Sequence, residues 1–269
     1  MKKNPLLSII TINYNNKDGL KKTIDSVVRQ TCDDYEHIII DGGSTDGSVD
    51  VIKESLKNKK YESQVSYWCS EKDGGIWNAL NKGASYANGE YCLMLNGGDW
   101  LYDEDSVSKI IKADPVEDIV YFDAFLVKKN SSFLYRYPDE ISYSFFFDGM
   151  TLSHQNTLIK TDVQKKIPYT NNYCMAGDIE FFMNALLKNN CTSRHVSDVL
   201  ACFDYEYGIS SDPSTKEARA EEWNRLRAQF FPPRIQSDLC RLREYTDFKH
   251  RFRGVPYKFY CFLKKIRGR

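Results

Sequence analysis

The chain has 269 residues, 37 Lys+Arg against 37 Asp+Glu, and a formal net charge of zero. A hydrophobic fraction of 42% with 14% aromatic residues excludes intrinsic disorder, collagen-like sequence and coiled coil. The longest charge-free run, Asn4 to Asn16, spans 13 residues and includes four Asn, well short of the roughly 18 apolar residues that cross a bilayer. A length near 270 residues allows one or two domains.

The apolar segment Leu6–Ile12 is too short and too polar for a secretory leader, and no small-residue cleavage site follows it. Eight cysteines fall at 32, 69, 92, 174, 191, 202, 240 and 261 without any C-x-x-C pair. That spacing offers no zinc framework and reads as reduced thiols in a cytoplasmic protein.

In chain order, the β-branched run 6–13 predicts a buried strand. Asn15, Asn16 and Gly19 mark a loop, and Leu20, Ile24, Val27 and Val28 recur at helical spacing. Tyr35–Ile40 predicts a second strand, ending in Asp41-Gly42-Gly43-Ser44-Thr45-Asp46-Gly47; Val49, Ile52 and Leu56 mark a second helix. Val65–Cys69, a helix over 76–87, and the strand Tyr91–Leu95 complete a β-α-β-α-β-α-β alternation. That order predicts an α/β fold with a mainly parallel central sheet flanked by helices, and ligands beyond the carboxyl ends of the strands. After about residue 117 the pattern loosens: a strand over 119–127, aromatic segments over 133–147, a helical face from Ile179 to Leu187, a strand over 199–205 and a helix over 214–231.

Four clusters have residue types suited to chemistry, each with a structural alternative. Asp41–Gly47 can meet a base or ribose, or be a strand–helix turn capped by Asp46. It contains neither the dinucleotide fingerprint nor a phosphate loop. Asn96-Gly97-Gly98-Asp99 places one carboxylate at a strand end, suited to a hard cation on a diphosphate or to a solvated turn. Asp178 opens a helix as a general base or as an N-cap, and His154-Gln155 is a polar pair in an uncharged stretch.

Taken together and in order, these segments resemble family 2 glycosyltransferases of the GT-A fold. The resemblance rests on Ser8–Asn16, Ser26–Gln30 with Tyr35–Ser48, Ser70–Gly83, Leu95–Asp99 and Gly177-Asp178, and covers about residues 6–210. It implies transfer of a sugar from a nucleoside diphosphate donor with inversion at the anomeric carbon. Asn13, Tyr14, Asp41 and Gly43, together with Asp73, Gly74 and Asn96, would line the nucleotide-sugar pocket. Asp99 would hold Mn2+ or Mg2+ on the diphosphate, Asp178 would take the acceptor's proton, and His154 and Gln155 would lie on the acceptor side. Ser210, in Tyr205–Ser210, would contact the diphosphate from a closing loop. Many relatives carry a second Asp where this chain has Gly42, and acidic residues where it has Asn96 and Gly98. The pattern is similar to a subset that builds bacterial exopolysaccharide, O-antigen or colanic-acid-type chains, for which GDP-sugars are as natural as UDP-sugars. The acceptor implied is a glycan or a lipid-linked saccharide. The same resemblance divides the chain into a catalytic domain over 1–210, with a nucleotide half to about 115 and an acceptor half beyond it, and a C-terminal helical extension over 211–269.

Two rivals remain. A sugar nucleotidyltransferase would carry an N-terminal glycine-rich loop with Arg and Lys, which residues 8–20 lack. A catalytically inactive sugar-nucleotide-binding or scaffold protein of the same fold is compatible with the thinned acidic motifs.

The zero net charge is a cancellation: 241–269 carries +8 and 1–240 carries −8. Val255, Phe259, Phe262, Leu263 and Ile266 form one helical stripe beside Lys258, Lys264, Lys265 and Arg267. This reads as a basic amphipathic helix on an anionic membrane surface, placing the protein at the inner face of the cytoplasmic membrane. A helix packed on the catalytic domain is the alternative; nucleic acid is not expected as a partner, since nothing else resembles a reader module. The full chain is expected to co-sediment with anionic vesicles and a 1–240 truncation to stay in the supernatant; equal pelleting removes the membrane assignment.

Overall fold

The computed structural model describes residues 4–204 and 213–251. Its first half contains β1 (Leu7–Asn13), α1 (Lys17–Val28), β2 (Tyr35–Asp41), α2 (Ser48–Ser55), α3 (Lys59–Glu62), β3 (Val65–Ser70), α4 (Ile76–Tyr86) and β4 (Tyr91–Met94). Then come β5 (Trp100–Leu101), α5 (Ser106–Ala113), β6 (Ile119–Lys128), β7 (Ser131–Tyr135), α6 (Tyr143–Phe147), β8 (Thr157–Lys160) and α7 (Thr161–Lys166). The described residues end with α8 (Gly177–Met183), β9 (Ser193–Asp204), α9 (Lys216–Phe230) and α10 (Pro233–Arg251).

Among the described residues a single nine-stranded sheet runs β3-β2-β1-β4-β8-β6-β9-β5, with β7 added beside β6. β1 pairs in parallel with β2 and β4, and β2 with β3, as the strand–helix alternation predicts. Beyond β4 the sheet is mixed: β8 is antiparallel to both β4 and β6, β6 is parallel to β9, and β5 is antiparallel to β9. The mainly parallel sheet expected from the sequence is therefore confined to its first half. β6 turns directly into β7 without a crossover helix, which makes that pair antiparallel, and β8, placed between β4 and β6, runs against both.

Both faces of the sheet are covered, and successive residues of one strand serve different layers. Ile10, Ile12, Ile38 and Ile40 join one core with α4, α6, α8 and α9. Leu7, Ile9 and Ile39 join the other with α1, α2 and α5. That two-sided burial explains why β1 and β2 read as continuous apolar runs.

The sequence reading separated 211–269 from the catalytic body. In the structure α9 shares the first core through Leu226 and Phe230, and Phe231 follows them, fully buried. The apolar spacing Leu226–Phe230–Phe231 is helical, but only the tertiary structure supplies the surface it meets. Residues 252–269, which carry most of the proposed membrane stripe, lie outside the described residues, as does Ser210. Among the described residues no helix is long and apolar enough to cross a membrane. Phe231→Ala is expected to lower the unfolding free energy by about 3–5 kcal/mol, as for a core aromatic; urea denaturation measures it, and an exposed-site value below about 0.5 kcal/mol would contradict the shared core.

Candidate functional site

The carboxyl ends of β1, β2 and β3 lie in register, Asn13 opposite Asp41 and Asp41 opposite Ser70. Asp41 uses this alignment. One carboxylate oxygen accepts from Asn13 Nδ2 at 2.9 Å and Ser44 Oγ at 2.6 Å. The other accepts from Ser44 N at 2.9 Å and Ser70 Oγ at 2.6 Å. Burial alone would raise its pKa, but these donors hold it below the ordinary carboxylate value. Asp41 is fully buried, so its own chain supplies the partners that the sequence reading reserved for a base or ribose. Asp46 joins the same loop to two helices, accepting from Lys17 N at 2.7 Å and Ser48 N at 3.0 Å. Its pKa is held down chiefly by the Ser48 hydroxyl.

Above this floor Tyr14 is 69% exposed at the end of β1, an aromatic face open to a ligand. Asp73 approaches from the β3–α4 loop, its Oδ1 accepting from Gly75 N at 2.8 Å. A Cβ built on Gly42 would stand 3.0 Å from Asp73 Oδ2 and 3.2 Å from the Tyr14 ring. The missing side chain at 42 therefore leaves a slot bounded by Tyr14 and Asp73. Gly43 has φ +81 and packs against the Lys72 backbone, a conformation and a proximity that suit glycine. Gly74 lies beside Asn78 at the exposed mouth.

The β4 loop is held differently. Asn96 Nδ2 meets His154 Nε2 at 3.0 Å, while Asn96 Oδ1 and His154 Nδ1 are buried without partners. Asn13 Oδ1 is a third such atom. Burial lowers the His154 pKa to about 4, so its ring is neutral at pH 7. Asp99 is 4% exposed; Oδ2 accepts from Gln155 Nε2 at 2.9 Å and Oδ1 from Asp204 N at 3.0 Å. Burial pushes its pKa up to about 7, outweighing those two donors. Lys22 lies close by, its Nζ 3.8 Å from an Asp204 oxygen and 3.1 Å above the Trp100 ring.

This arrangement does not fit a metal seat on Asp99. A divalent cation takes open oxygen lone pairs, whereas this carboxyl is buried, with one oxygen turned to Gln155 and the other to the Asp204 backbone N–H. Among the described residues no group of three or more His, Cys, Asp or Glu could hold a metal ion. Gln155, expected on the acceptor side, is buried, linked to Asp99 and receiving the Ser153 hydroxyl at 2.7 Å. Its role in the structure is to tie the β8 approach to the β4 loop.

Asp178 stands in the first turn of α8, accepting from Ile179 N at 2.8 Å. Burial pushes its pKa up to about 6. The buried hydroxyls of Tyr137 and Tyr169 feel its charge. Gly177 permits this placement: a Cβ there would fall 2.5 Å from the Trp77 ring, so the helix start rests directly on the indole. The sequence reading overlooked Glu222, whose carboxylate accepts from the backbone N–H groups of Cys174, Met175 and Ala176. No local motif marks it, because its partners lie more than 45 residues away.

Residues 8–184 match Glycosyl transferase family 2, and the chain belongs to that family. An uncharacterized glycosyltransferase of Mycobacterium tuberculosis is 30% identical over 92% of this chain and 95% of its own length. A PGL/p-HBAD biosynthesis glycosyltransferase of the same species is 26% identical, covering 79% of this chain and 82% of its own. In structure, the mannosyltransferase PcManGT of Pyrobaculum calidifontis, in complex with GDP-Man and Mn2+, gives a TM-score of 0.62 at 16% identity over 88% of this chain and 69% of that one. S. aureus TarS 1-349 in complex with UDP-GlcNAc gives 0.60 at 19% identity over 77% of this chain. The present chain spans 61% of that TarS chain. These likenesses establish the GT-A fold; the curled mixed sheet flanked by helices is the shared feature.

A raised pKa means that Asp99 binds its proton more tightly in the folded chain than in the unfolded one. Its stability contribution is fully present below the ordinary carboxylate pKa of about 4 and is lost as pH rises through about 7. Asp178 acts in the same direction through about 6. Asp99→Asn is expected to flatten the fall in melting temperature between pH 4 and 7; an undiminished slope would place the titration elsewhere.

Proposed function

We propose that this chain is an inverting glycosyltransferase that uses a nucleoside diphosphate sugar and a hydroxyl acceptor, with Asp178 as general base. The acceptor oxygen attacks the anomeric carbon as the bond to the diphosphate breaks. The diphosphate leaves with the electron pair, and the hydroxyl proton passes to the Asp178 carboxylate. The observation that carries the reading is Asp178 itself: a recessed carboxyl with its pKa near 6, ionised at pH 7 yet more basic than an exposed aspartate.

The slot between Tyr14 and Asp73 is the proposed seat of the base, with Gly42 leaving room and Asp41 ordering the floor beneath it. Asn13, Gly43, Gly74 and Asn96 are assigned to the same opening, and His154, a neutral ring in the turn that precedes β8, to the acceptor side. Family membership and neighbours whose complexes hold UDP-GlcNAc or GDP-Man support a nucleotide-sugar donor. The PGL/p-HBAD relative supports an acceptor among bacterial surface glycans or lipid-linked saccharides. The basic segment 241–269 then suits an anionic membrane surface at the cytoplasmic face, where such acceptors are presented.

Although one neighbour is a complex with Mn2+, no step of this reaction is assigned to a metal, because the Asp99 carboxyl is committed to internal partners. The same commitment is what favours the second reading, a sugar-nucleotide-binding protein without transfer activity. Asp178→Asn separates the two. It is expected to keep donor binding and to lower transfer or donor hydrolysis by about 10²–10⁴-fold; unchanged turnover removes Asp178 as the base. In the wild type, turnover is expected to rise with pH through about 6 as Asp178 ionises. A thermal-shift panel of UDP-, GDP- and TDP-sugars, each with Mn2+ and with EDTA, identifies the donor. At 100 times its Kd the right one adds about 2.7 kcal/mol of stability, and that gain is expected to persist in EDTA.

A further inference from the structure

We infer that Glu222 is a positioning residue for the general-base loop, which makes α9 part of the catalytic apparatus. The inference rests on the reading of Asp178 as the base.

The segment Cys174–Ala176 leads into α8 and ends at its N-cap, Ala176, so its backbone N–H groups lie outside the helix and need acceptors from elsewhere. Glu222 supplies one for each. Its Oε1 accepts from Cys174 N at 2.7 Å, and its Oε2 accepts from Met175 N at 3.0 Å and Ala176 N at 2.9 Å. Three consecutive amides thus converge on one carboxylate that is 7% exposed. Charge-assisted bonds of this kind are about twice as strong as neutral ones and are directional. Asp178 lies two residues beyond the last of them.

The rest of α9 acts on the same short segment. Gln229 Oε1 accepts from the Tyr173 hydroxyl at 2.8 Å. The Arg225 guanidinium lies 4.9 Å from the centre of the Tyr173 ring and donates to the Asn172 carbonyl at 3.3 Å. From the opposite side, Trp77 Nε1 donates to the Tyr173 carbonyl at 2.7 Å, and the indole supports Gly177. The loop is gripped between α9 and α4, and the base emerges at the end of the grip.

Adhesion does not require this carboxylate. Leu226 and Phe230 already bury α9 in the core, and a buried charge is a costly way to add stability. What Glu222 adds is direction: it fixes three N–H vectors and with them the start of α8. A glutamine keeps the shape but presents one acceptor oxygen and an NH2 group, which faces at least one of the three donors without accepting from it. A displacement near 1 Å at a catalytic group costs about 10²-fold in rate.

The test uses the full chain with Glu222→Gln, Asp178→Asn and Glu221→Gln, the last a change at the exposed neighbouring position. Amide hydrogen exchange at 174–176 is measured alongside hydrolysis of UDP-GlcNAc or GDP-Man, whichever stabilises the protein, from pH 5 to 8. Tyr137 and Tyr169, which sense Asp178, are pushed up by burial, and Asp99, which titrates through about 7, is removed by recording the same profile in an Asp99→Asn background. Glu222→Gln is expected to leave the donor KM within about twofold and to lower kcat about 10–100-fold. Its acid limb should move down toward the ordinary carboxylate range as the recess loosens, and exchange at 174–176 should accelerate at least about tenfold. Glu221→Gln should match the wild type throughout.

Wild-type exchange, or a wild-type kcat and acid limb in Glu222→Gln while Asp178→Asn is inactive, overturns the positioning role and leaves the base intact. Wild-type turnover in Asp178→Asn overturns the base reading instead, and the exchange data still report on the clamp. Should Glu222→Gln fail to fold, Glu222→Asp, which keeps the charge but is one methylene short, is measured in the same way. An unchanged limb there also overturns the inference.

Discussion

The Asp41 carboxylate is the constraint on which the ligand-facing edge depends. Three parallel strands end in register, and their side chains at that row would otherwise be separate polar groups facing a cleft. Asp41 collects Asn13, Ser44 and Ser70 on two oxygens, so the ends of β1, β2 and β3 and the turn into α2 become one rigid unit. Asp46 extends that unit to the start of α1. Tyr14, Gly42 and Asp73 are placed by this scaffold, and the slot between them keeps its shape because both Asp41 oxygens beneath it are hydrogen-bonded.

Carboxylates in this molecule diverge according to their donors. Asp41 is buried but surrounded by hydroxyl and amide donors, and it stays readily ionised. Asp99 is buried and Asp178 half-buried, each with fewer donors, and desolvation pushes both upward. Asp99 spends its oxygens on internal partners and works as a strut between the β4 loop, β8 and the end of β9. Asp178 accepts only from the backbone beside it and remains the one with capacity to take a proton. Three aspartates at strand or helix ends look alike in sequence; the count and direction of donors set them apart.

Much of the nucleotide half was legible in advance. The runs at β1 and β2 are apolar on both faces, the intervening helices show regular spacing, and glycine and aspartate clusters fall at the strand ends, so alternation alone dictates parallel pairing and a cleft at that edge. The second half was less legible because β6 returns through a hairpin and β8 enters antiparallel, a choice set by which sheet edge is free. Among the site residues, Tyr14, Asp73 and Asp178 stand where the motifs place them. Gln155 and Asp99 are buried against each other, a contact between residues 56 positions apart that no local motif announces. Glu222 had no signal at all: a glutamate in a highly charged helix looks like a solvated face until the loop that it caps is brought against it.

The sequence by itself determined the strand–helix order of the first half, the family, and the chemical types at the cleft, because these follow from periodicity, turn chemistry and short motifs that act over a few residues. Tertiary structure alone decided which carboxylates are buried, which are saturated with donors, and that a helix after residue 210 grips the loop bearing Asp178. Those properties depend on desolvation and on hydrogen bonds between residues tens of positions apart, neither of which is encoded in any local stretch of the chain.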